Sequence, residues 1–257
     1  MLSKNELKYY SSLLQKKYRK QENKFLIEGK KLVEESLKSN YETELIVFTR
    51  EFFSEHSEFI NRISKASIRL EQIRAIEFQR FSDTRTPQGI AAVLKMKQPA
   101  DPDKLKLKNE FALYLEDISD PGNLGTILRT ADWFGITDII LSPDSAEIYN
   151  PKVLRSSMGS VFHLNLFTDF PVNKLIKFTK EGYNVLCADK EGIPVFGLTD
   201  FRKKIICFGN EAKGISDQLQ KISSGKITIP GKGKAESLNV AAAAAVILAQ
   251  VFIKLNI

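Results

Sequence analysis

The chain has 257 residues, of which 43% are hydrophobic and 27% are charged, as in an ordinary globular protein with one large domain or two smaller ones. The formal net charge of +7 favours acidic partners such as nucleic acid. The longest apolar run, residues 240–249, is too short and too rich in alanine to span a bilayer. Lys4, Glu6 and Lys8 interrupt any early apolar run, so no signal peptide is expected. We therefore expect a cytoplasmic protein with no membrane segment.

The first 24 residues form a basic arm with a net charge of +5. One interpretation is a frayed, solvated terminus. The other is an arm that binds RNA phosphates while its tyrosines stack on bases. The tyrosines of the arm are Tyr9, Tyr10 and Tyr18, and its candidate RNA contacts are Lys16, Lys17, Arg19 and Lys20.

Hydrophobic periodicity predicts alternating helices and strands in the first half of the chain. Helices are expected at residues 3–17, 30–39, 51–63 and 71–78. Strands are expected at residues 25–27, 45–49, 68–70 and 89–94. This alternation predicts a small α/β domain over residues 1–97. Residues 98–108 contain two prolines and almost no core candidates, so they are expected to form a linker.

The second half, residues 109–257, alternates in the same way. Strands are expected at residues 111–118, 138–142, 163–167, 184–188, 204–209 and 226–229. Helices are expected at residues 124–134, 152–159, 172–181, 216–221 and 237–254. Because the strand sequences are apolar on both faces, they predict a mostly parallel sheet that is covered by helices.

Polar residues and glycines follow three of these strands, after Ile118, Phe208 and Ile229. Ligands of open α/β sheets bind outside the carboxyl ends of the strands, so the three loops are expected to form one site. Their hydrogen-bonding side chains are Asn123, Arg129, Glu211, Ser237 and Asn239. For Arg129 two interpretations are open, a buried ion pair with Glu211 or a contact with a phosphate or nucleotide.

Several familiar chemistries do not fit the sequence. The segment GKGKAES lacks the spacing of a phosphate-binding P-loop, and no GxGxxG follows a strand. The two histidines, His56 and His163, lie outside the loops, which argues against histidine acid–base catalysis. Cys187 and Cys207 lie in apolar runs and are interpreted as small buried hydrophobic residues. No metal-ligand spacing occurs, so no metal site is expected.

The loops resemble the three motifs of the SpoU (TrmH-like) RNA ribose 2′-O-methyltransferases of the SPOUT superfamily. The matching segments are DPGNLG and RTAD (residues 120–125 and 129–132), GNEAKGIS (209–216), and IP, Gly233 and ESLNV (229–230, 233 and 236–240). YNPKV and RSSMG (149–153 and 155–159) also resemble the family. In the first half, FLIEG, LVEE, SDT and TPQGI (25–29, 32–35, 82–84 and 86–90) resemble its N-terminal substrate-binding domain.

The resemblance implies an α/β fold in two parts. The C-terminal SPOUT domain would contain a deep trefoil knot and a mostly parallel sheet. The smaller N-terminal domain would have an αβα architecture and bind RNA. The resemblance also implies a homodimer that forms through the C-terminal domain.

The resemblance further implies S-adenosyl-L-methionine as the cofactor, with Gly209, Asn210, Ile229, Leu238 and Asn239 around it. Arg129 matches the catalytic arginine of the family, which either accepts the proton of the ribose hydroxyl or orients the target phosphate. A guanidinium stays charged in proteins, which favours the second role. The remaining catalytic positions, which fix Arg129 and the ribose, are Asn123, Glu211, Ser237 and Asn239. Lys30 and Arg155 join the predicted RNA contacts.

The expected activity is methylation of a ribose 2′-OH in structured RNA. The two-domain layout favours a 23S-type rRNA over a tRNA as the substrate. The alternatives are a tRNA ribose methyltransferase, a base methyltransferase of the same superfamily, and a non-catalytic RNA-binding or assembly protein with the same fold. The sequence identifies neither the RNA nor the nucleotide.

Overall fold

A computed structural model describes residues 2–255, which form two compact units. The first unit comprises residues 2–98 and 149–162, and the second comprises residues 99–148 and 163–255. Residues 149–162 are expected in the C-terminal domain from sequence, but their contacts place them in the first unit.

The elements are numbered in chain order. The helices are α1 (Lys4–Ser12), α2 (Lys16–Glu22), α3 (Lys30–Lys38), α4 (Arg50–Glu55), α5 (Ser57–Ile63), α6 (Ala75–Phe78), α7 (Pro121–Trp133), α8 (Pro151–Ser157), α9 (Ile176–Lys180), α10 (Asp217–Ile222) and α11 (Val240–Leu255). The strands are β1 (Lys24–Glu28), β2 (Thr43–Thr49), β3 (Arg69–Ile73), β4 (Ile90–Lys95), β5 (Phe111–Leu115), β6 (Asp138–Leu141), β7 (Asn165–Phe167), β8 (Asn184–Pro194), β9 (Lys204–Phe208) and β10 (Gly225–Thr228).

The first unit is built on a four-stranded sheet in the order β1-β4-β2-β3. β4 is antiparallel to β1 and to β2, and β3 is parallel to β2. The expected helix at residues 71–78 is therefore wrong in its first half, because residues 69–73 pair with β2 along the sheet edge. Burial of Ile73 against the core outweighs the local helix preference of this segment. The expected helix at residues 51–63 is divided into α4 and α5 at His56, whose φ of −134° is not helical.

The basic arm folds as α1 and α2 and packs on the sheet of the first unit. Leu7, Tyr10 and Leu13 are buried there, so the interpretation of a frayed terminus is wrong. The hydroxyl of Tyr9 donates to Glu22 at 2.9 Å, and the buried Tyr10 is not available to stack on a base.

The prediction that Arg19 contacts RNA is wrong, because its side chain is only 2% exposed. Its Nη1 donates to the carbonyl oxygens of Leu13 at 2.9 Å and Leu14 at 2.7 Å. These bonds satisfy carbonyl groups in the turn where the expected single helix of residues 3–17 breaks into α1 and α2. Arg19 is therefore a structural residue, whereas Lys16, Lys17 and Lys20 of the same helix are exposed.

Replacing Arg19 with methionine is expected to lower the free energy of unfolding by about 2–3 kcal/mol, because it leaves buried carbonyl oxygens unpaired. Urea denaturation of Arg19→Met beside Lys20→Met, an exposed neighbour, measures this difference. The salt dependence of RNA binding is expected to stay at the wild-type value in Arg19→Met. A stable Arg19→Met with weakened RNA binding would restore the original assignment.

Residues 149–162 join the first unit through aromatic packing. The ring of Tyr149 stacks on Phe25 with centroids 4.3 Å apart, and its hydroxyl lies 3.3 Å from that of Tyr41. Phe162 meets Tyr41 edge-on at 5.3 Å. Burial raises the pKa of Tyr41 well above its ordinary value, so this phenol stays neutral. The cluster fixes both ends of the segment that carries α8.

The second unit is built on a six-stranded parallel sheet in the order β10-β8-β9-β5-β6-β7, which confirms the expected mostly parallel sheet. Cys187 and Cys207 face each other on β8 and β9, and both are free and buried, as the sequence predicted. Burial raises the pKa of the Cys207 thiol. β8 runs beyond the expected residue 188 to Pro194, since its extension pairs with β10 after a register shift. None of the helices formed by residues 2–255 is long and apolar enough to cross a membrane.

Candidate active site

The three motif loops leave β5, β9 and β10, whose carboxyl ends lie along the same edge of the parallel sheet. The first loop leads into α7, which begins at Pro121 with Asp120 as its N-cap. The Asp120 carboxylate accepts from the amide of Asn123 at 2.8 Å and thereby fixes the first turn of this helix. The sheet topology therefore places the predicted site where ligands of parallel α/β sheets bind.

One hydrogen-bonded chain joins all three loops. Asn239 accepts from the amides of Ala241 at 2.9 Å and Ala242 at 3.3 Å and so caps α11. Because the side-chain oxygen of Asn239 is occupied by these bonds, its side-chain NH2 group points away and donates to the side-chain oxygen of Asn123 at 3.0 Å. The amide group of Asn123 then donates to Glu211 at 2.7 Å. Each of these hydrogen bonds determines the orientation of the next side-chain amide. The cap of α11 therefore determines which groups donate and which accept along the whole series of hydrogen bonds.

Arg129 and Ser237 lie outside this hydrogen-bonded chain. Both side chains are exposed, and neither forms a hydrogen bond or ion pair within residues 2–255. Of the two interpretations of Arg129, the buried ion pair with Glu211 is therefore wrong, since Arg129 is exposed and Glu211 accepts from Asn123 instead. The guanidinium of Arg129 is available to bind an anion.

The second loop is organised by Asn210. Its side-chain oxygen accepts from the amides of Ala212 at 2.8 Å and Lys213 at 3.0 Å, while its amide group donates to the carbonyl of Asp117 at 2.9 Å. A Cβ on Gly209 would collide with the backbone of Gly214 and would lie 2.8 Å from the amide nitrogen of the next residue. Gly209 is therefore needed for the loop to close, and Asn210 stabilises the loop from within.

Glu116 is a residue of this edge that the sequence analysis missed. It is 7% exposed, and its carboxylate accepts from the hydroxyl of Ser216 at 2.6 Å and from the amide of the same residue at 2.9 Å. These bonds tie the end of β5 to the start of α10. A charged residue directly after the apolar run FALYL was the available signal, because a buried carboxylate needs partners.

The third loop, residues 229–238, presents free backbone groups. None of its amides or carbonyls forms a hydrogen bond within residues 2–255, and most of its residues are exposed. The side chain of Leu238 is 52% exposed. α11 begins at Val240, three residues after the expected start, since Asn239 and not Ser237 is its cap. The loop therefore offers donors, acceptors and apolar surface to a ligand.

The predicted RNA contacts differ in their neighbours and in their exposure to solvent. The ammonium of Lys30 lies 5.8 Å from the ring of Phe59. Arg155 forms an ion pair with Asp83. Lys16, Lys17 and Lys20 project from α2 into solvent, whereas Arg19 is buried.

The histidines lie outside the motif loops in the structure as well. His163 Nδ1 is 2.8 Å from Asp132, and the ring of His56 packs edge-on against Phe52. Within residues 2–255, no three His, Cys, Asp or Glu side chains gather into a group that could hold a metal ion.

Residues 110–249 match the SpoU rRNA Methylase family, and residues 4–92 match the MRM3-like substrate binding domain. The chain belongs to the SpoU family. It is 33% identical to the 23S rRNA (guanosine(2553)-2′-O)-methyltransferase RlmP of Bacillus subtilis (strain 168), over 96% of either chain.

Solved structures agree with this SpoU membership. The fold is similar to that of a protein assigned to the TrmH family of RNA methyltransferases from Porphyromonas gingivalis, with a TM-score of 0.83, 32% identity and coverage of 97% and 98% of the two chains. It is also similar to the SpoU methyltransferase AviRb of Streptomyces viridochromogenes, crystallised with AdoMet, with a TM-score of 0.86, 23% identity and 98% coverage of both chains. The second likeness concerns the fold alone.

The SpoU match includes residues 149–162, which pack with the first unit. Within this segment, Asn150 caps α8 by accepting from the amide of Lys152 at 2.9 Å. A Cβ on Gly159 would lie 2.9 Å from the side chain of Glu35, which explains the need for glycine there. A continuous stretch of family sequence thus serves two compact units.

Proposed function

We propose that the protein is an rRNA methyltransferase that transfers a methyl group from S-adenosyl-L-methionine to a ribose 2′-OH. The observation that carries the proposal is the hydrogen-bonded chain Glu211–Asn123–Asn239, with the unpaired guanidinium of Arg129 on the same helix as Asn123. Similarity over nearly the full length to a 23S rRNA 2′-O-methyltransferase supports rRNA as the substrate.

The residues present fit the proposed cofactor. Adenosine and methionine groups offer hydrogen-bond donors and acceptors, and residues 229–238 have unpaired backbone groups of both kinds. Leu238 offers apolar surface for an adenine ring, and the loop of Gly209 and Asn210 is already ordered beside the carboxyl end of β9. When bound, S-adenosyl-L-methionine supplies an electrophilic methyl group. A trefoil knot around this site remains a prediction.

The side chains act by positioning the ribose and its phosphate. Arg129 remains charged, so we assign it to the phosphate of the target nucleotide, which assists loss of the 2′-OH proton. Asn123 and Asn239 are already locked by their hydrogen bonds and would hold the ribose with little further loss of entropy. Glu211 and Ser237 complete the set with one carboxylate and one free hydroxyl.

Methyl transfer tests the proposal directly. Purified protein, S-adenosyl-L-methionine with a labelled methyl group and in vitro transcribed 23S rRNA are incubated together, with total tRNA in a parallel reaction. Mass spectrometry of the digested nucleosides is expected to find the label on a ribose in the rRNA reaction. Label on a base or only in tRNA supports the corresponding alternative, and no label with either RNA supports a non-catalytic RNA-binding protein.

The proposal includes a homodimer that forms through the second unit. Trp133 is 83% exposed, and Phe252, Ile253 and Leu255 at the end of α11 are also exposed. Phe134 contacts Phe252 with ring centroids 5.5 Å apart, so the two helices present one apolar surface. Sedimentation of Trp133→Glu is expected to give a monomer where the wild type is a dimer. A monomeric wild-type protein would refute this part of the proposal.

Arg129 and Trp133 lie four residues apart on α7 and therefore share one face of that helix. The guanidinium then lies next to the proposed interface, so dimer formation would place it beside a second copy of the chain. The cytoplasmic location expected from the sequence remains a prediction.

A further inference from the structure

The sheet of the first unit gathers basic residues along one edge. β1, β2 and β3 run in the same direction, and β4 runs opposite to them, so the carboxyl ends of three strands and the start of β4 share this edge. The chain leaving or entering these ends carries six basic side chains, which we call the cationic edge: Lys30, Lys31, Arg50, Arg74, Arg80 and Arg85.

Most of the cationic edge lacks carboxylate partners. Lys31 pairs with Glu35 at 2.5 Å, and Arg74 pairs with Glu77 at 2.7 Å. The other four members, Lys30, Arg50, Arg80 and Arg85, form no ion pair within residues 2–255. Of these, Arg80 still attracts the carboxylate of Glu77 electrostatically. The three arginines of this group are exposed. Exposed guanidinium groups without carboxylates are available to bind an anionic ligand.

Basic residues of the strands at the opposite edge of the same sheet form ion pairs. Lys24 pairs with Glu44 at 2.6 Å, and Lys95 pairs with Glu42 at 2.6 Å. Arg69 pairs with Glu6 at 2.7 Å. The basic side chains of the strands are therefore paired at that edge, and its unpaired positive charge lies on the connections, chiefly on the exposed lysines of α2. The cationic edge differs from it in presenting unpaired guanidinium groups to a polyanion.

The loop before β4 is held in place from two sides, so that Arg85 is presented on an ordered support. The carboxylate of Glu28 accepts from the hydroxyl of Ser82 at 2.6 Å and from the amide of Gln88 at 3.0 Å. Asp83 in the same loop pairs with Arg155 from α8. A loop that is already ordered loses less entropy when its side chain binds a ligand.

We propose that the cationic edge is the surface on which the first unit binds the phosphate backbone of the RNA substrate. This inference rests on the proposed function for RNA as the partner. Guanidinium groups suit phosphates because they can donate two parallel hydrogen bonds. Here the unpaired ones lie on two connections, Arg50 between β2 and β3 and Arg80 and Arg85 between β3 and β4, so they can contact more than one phosphate. Arg155 then acts as a positioning residue for the loop of Arg85 and not as an RNA contact. The exposed lysines of α2 form the alternative surface for RNA binding.

Two triple variants with the same change of charge decide between the surfaces. The first is Arg50→Gln, Arg80→Gln and Arg85→Gln, and the matched control on α2 is Lys16→Gln, Lys17→Gln and Lys20→Gln. Filter binding to 23S rRNA transcripts is measured from 50 to 300 mM KCl. Loss of three phosphate contacts is expected to reduce the slope of log K against log salt by about 2–3 in the edge variant and by less than about 1 in the control. Equal slopes for the edge variant and the wild type, or a larger change in the control, would overturn the proposal.

The variant Glu28→Ala distinguishes the effect of loop ordering on RNA binding from the effect of surface charge. Removing a carboxylate makes the surface more positive, so charge alone predicts tighter RNA binding. We expect binding several-fold weaker than that of the wild type, because the loop of Arg85 is released. Tighter binding by a variant with an unchanged melting temperature would refute the role of Glu28.

Failure of the proposed function is distinguishable from failure of this inference. Affinity for S-adenosyl-L-methionine and the melting temperature are expected to stay at wild-type values in both triple variants. A wild type that binds RNA with the expected slope and transfers no methyl group refutes the enzyme and leaves the cationic edge in place. A wild type that methylates RNA while the edge variant keeps its salt slope refutes the edge alone, and a wild type with no affinity for RNA refutes the edge as well.

Discussion

Replacing Arg129 with alanine is expected to lower the rate of methyl transfer by about a hundredfold or more, while the affinity for S-adenosyl-L-methionine stays unchanged. The side chain is exposed and makes no hydrogen bond or ion pair within residues 2–255, so its removal leaves no buried group unpaired. The loss should therefore fall on binding and orientation of the target phosphate. Single-turnover methylation of 23S rRNA transcripts, with cofactor affinity measured by calorimetry, checks both parts.

Two control variants accompany Arg129→Ala, one at a different exposed arginine and one that keeps the positive charge at residue 129. Arg202→Ala removes another exposed arginine of the second unit and is expected to keep the wild-type rate. Arg129→Lys keeps the charge without the planar pair of donors, so it should recover only part of the rate. A folded Arg129→Ala that binds cofactor and methylates RNA at the wild-type rate would remove Arg129 from the site.

The central strands could be predicted because their sequences suit only one environment, the buried middle of a parallel sheet. Residues 111–115 and 204–208 are apolar on both faces, which suits the middle of a parallel sheet, and the structure places them side by side as β5 and β9. Placement of the three loops at one edge then follows from topology. The strand expected at residues 68–70 overlaps the start of β3, but residues 71–73 of this edge strand are expected to be helical from sequence. The partner strand β2 lies far earlier in the chain, with Leu45 opposite Arg69, and pairing at that distance leaves no local signal.

Long-range side-chain contacts account for most of the other differences. Arg19 lies in a run of lysines that looks solvated, and only the turn at Leu13 shows why its guanidinium is buried. The loops of Asn123, Glu211 and Asn239 could be brought together from sequence, but the bonds between these side chains depend on how each loop closes. These features depend on tertiary geometry, which hydrophobic periodicity does not encode.

The position of residues 149–162 changes how the two halves can be tested separately. Deletion of residues 1–97 would be the natural way to ask whether the first half binds RNA. It would also remove Phe25 and Tyr41, on which Tyr149 packs. The truncated chain would then expose the aromatic side chains of a segment that belongs to the first unit. Charge substitutions on exposed residues are therefore the better test of RNA binding in this protein.

Gly209→Ala is expected to weaken the binding of S-adenosyl-L-methionine by about tenfold or more and to lower the free energy of unfolding by about 1–3 kcal/mol. The added methyl group would collide with the carbonyl group of Gly214, which is backbone and cannot rotate away as a side chain can. The loop would have to move as a whole, and Asn210 ties it to Asp117. Calorimetric titration of the cofactor and urea denaturation measure the two effects.

Gly197→Ala is the matched control, because a Cβ there meets no atom within 4 Å and Gly197 lies outside the motif loops. It is expected to keep wild-type affinity and stability. Comparison of the two variants separates the general effect of replacing glycine from the steric effect at Gly209. If both variants bound the cofactor equally well, close packing of Gly209 against Gly214 would not be required for cofactor binding. The cofactor would then have to be held by groups such as the free backbone of residues 229–238, which do not depend on the shape of the Gly209 loop.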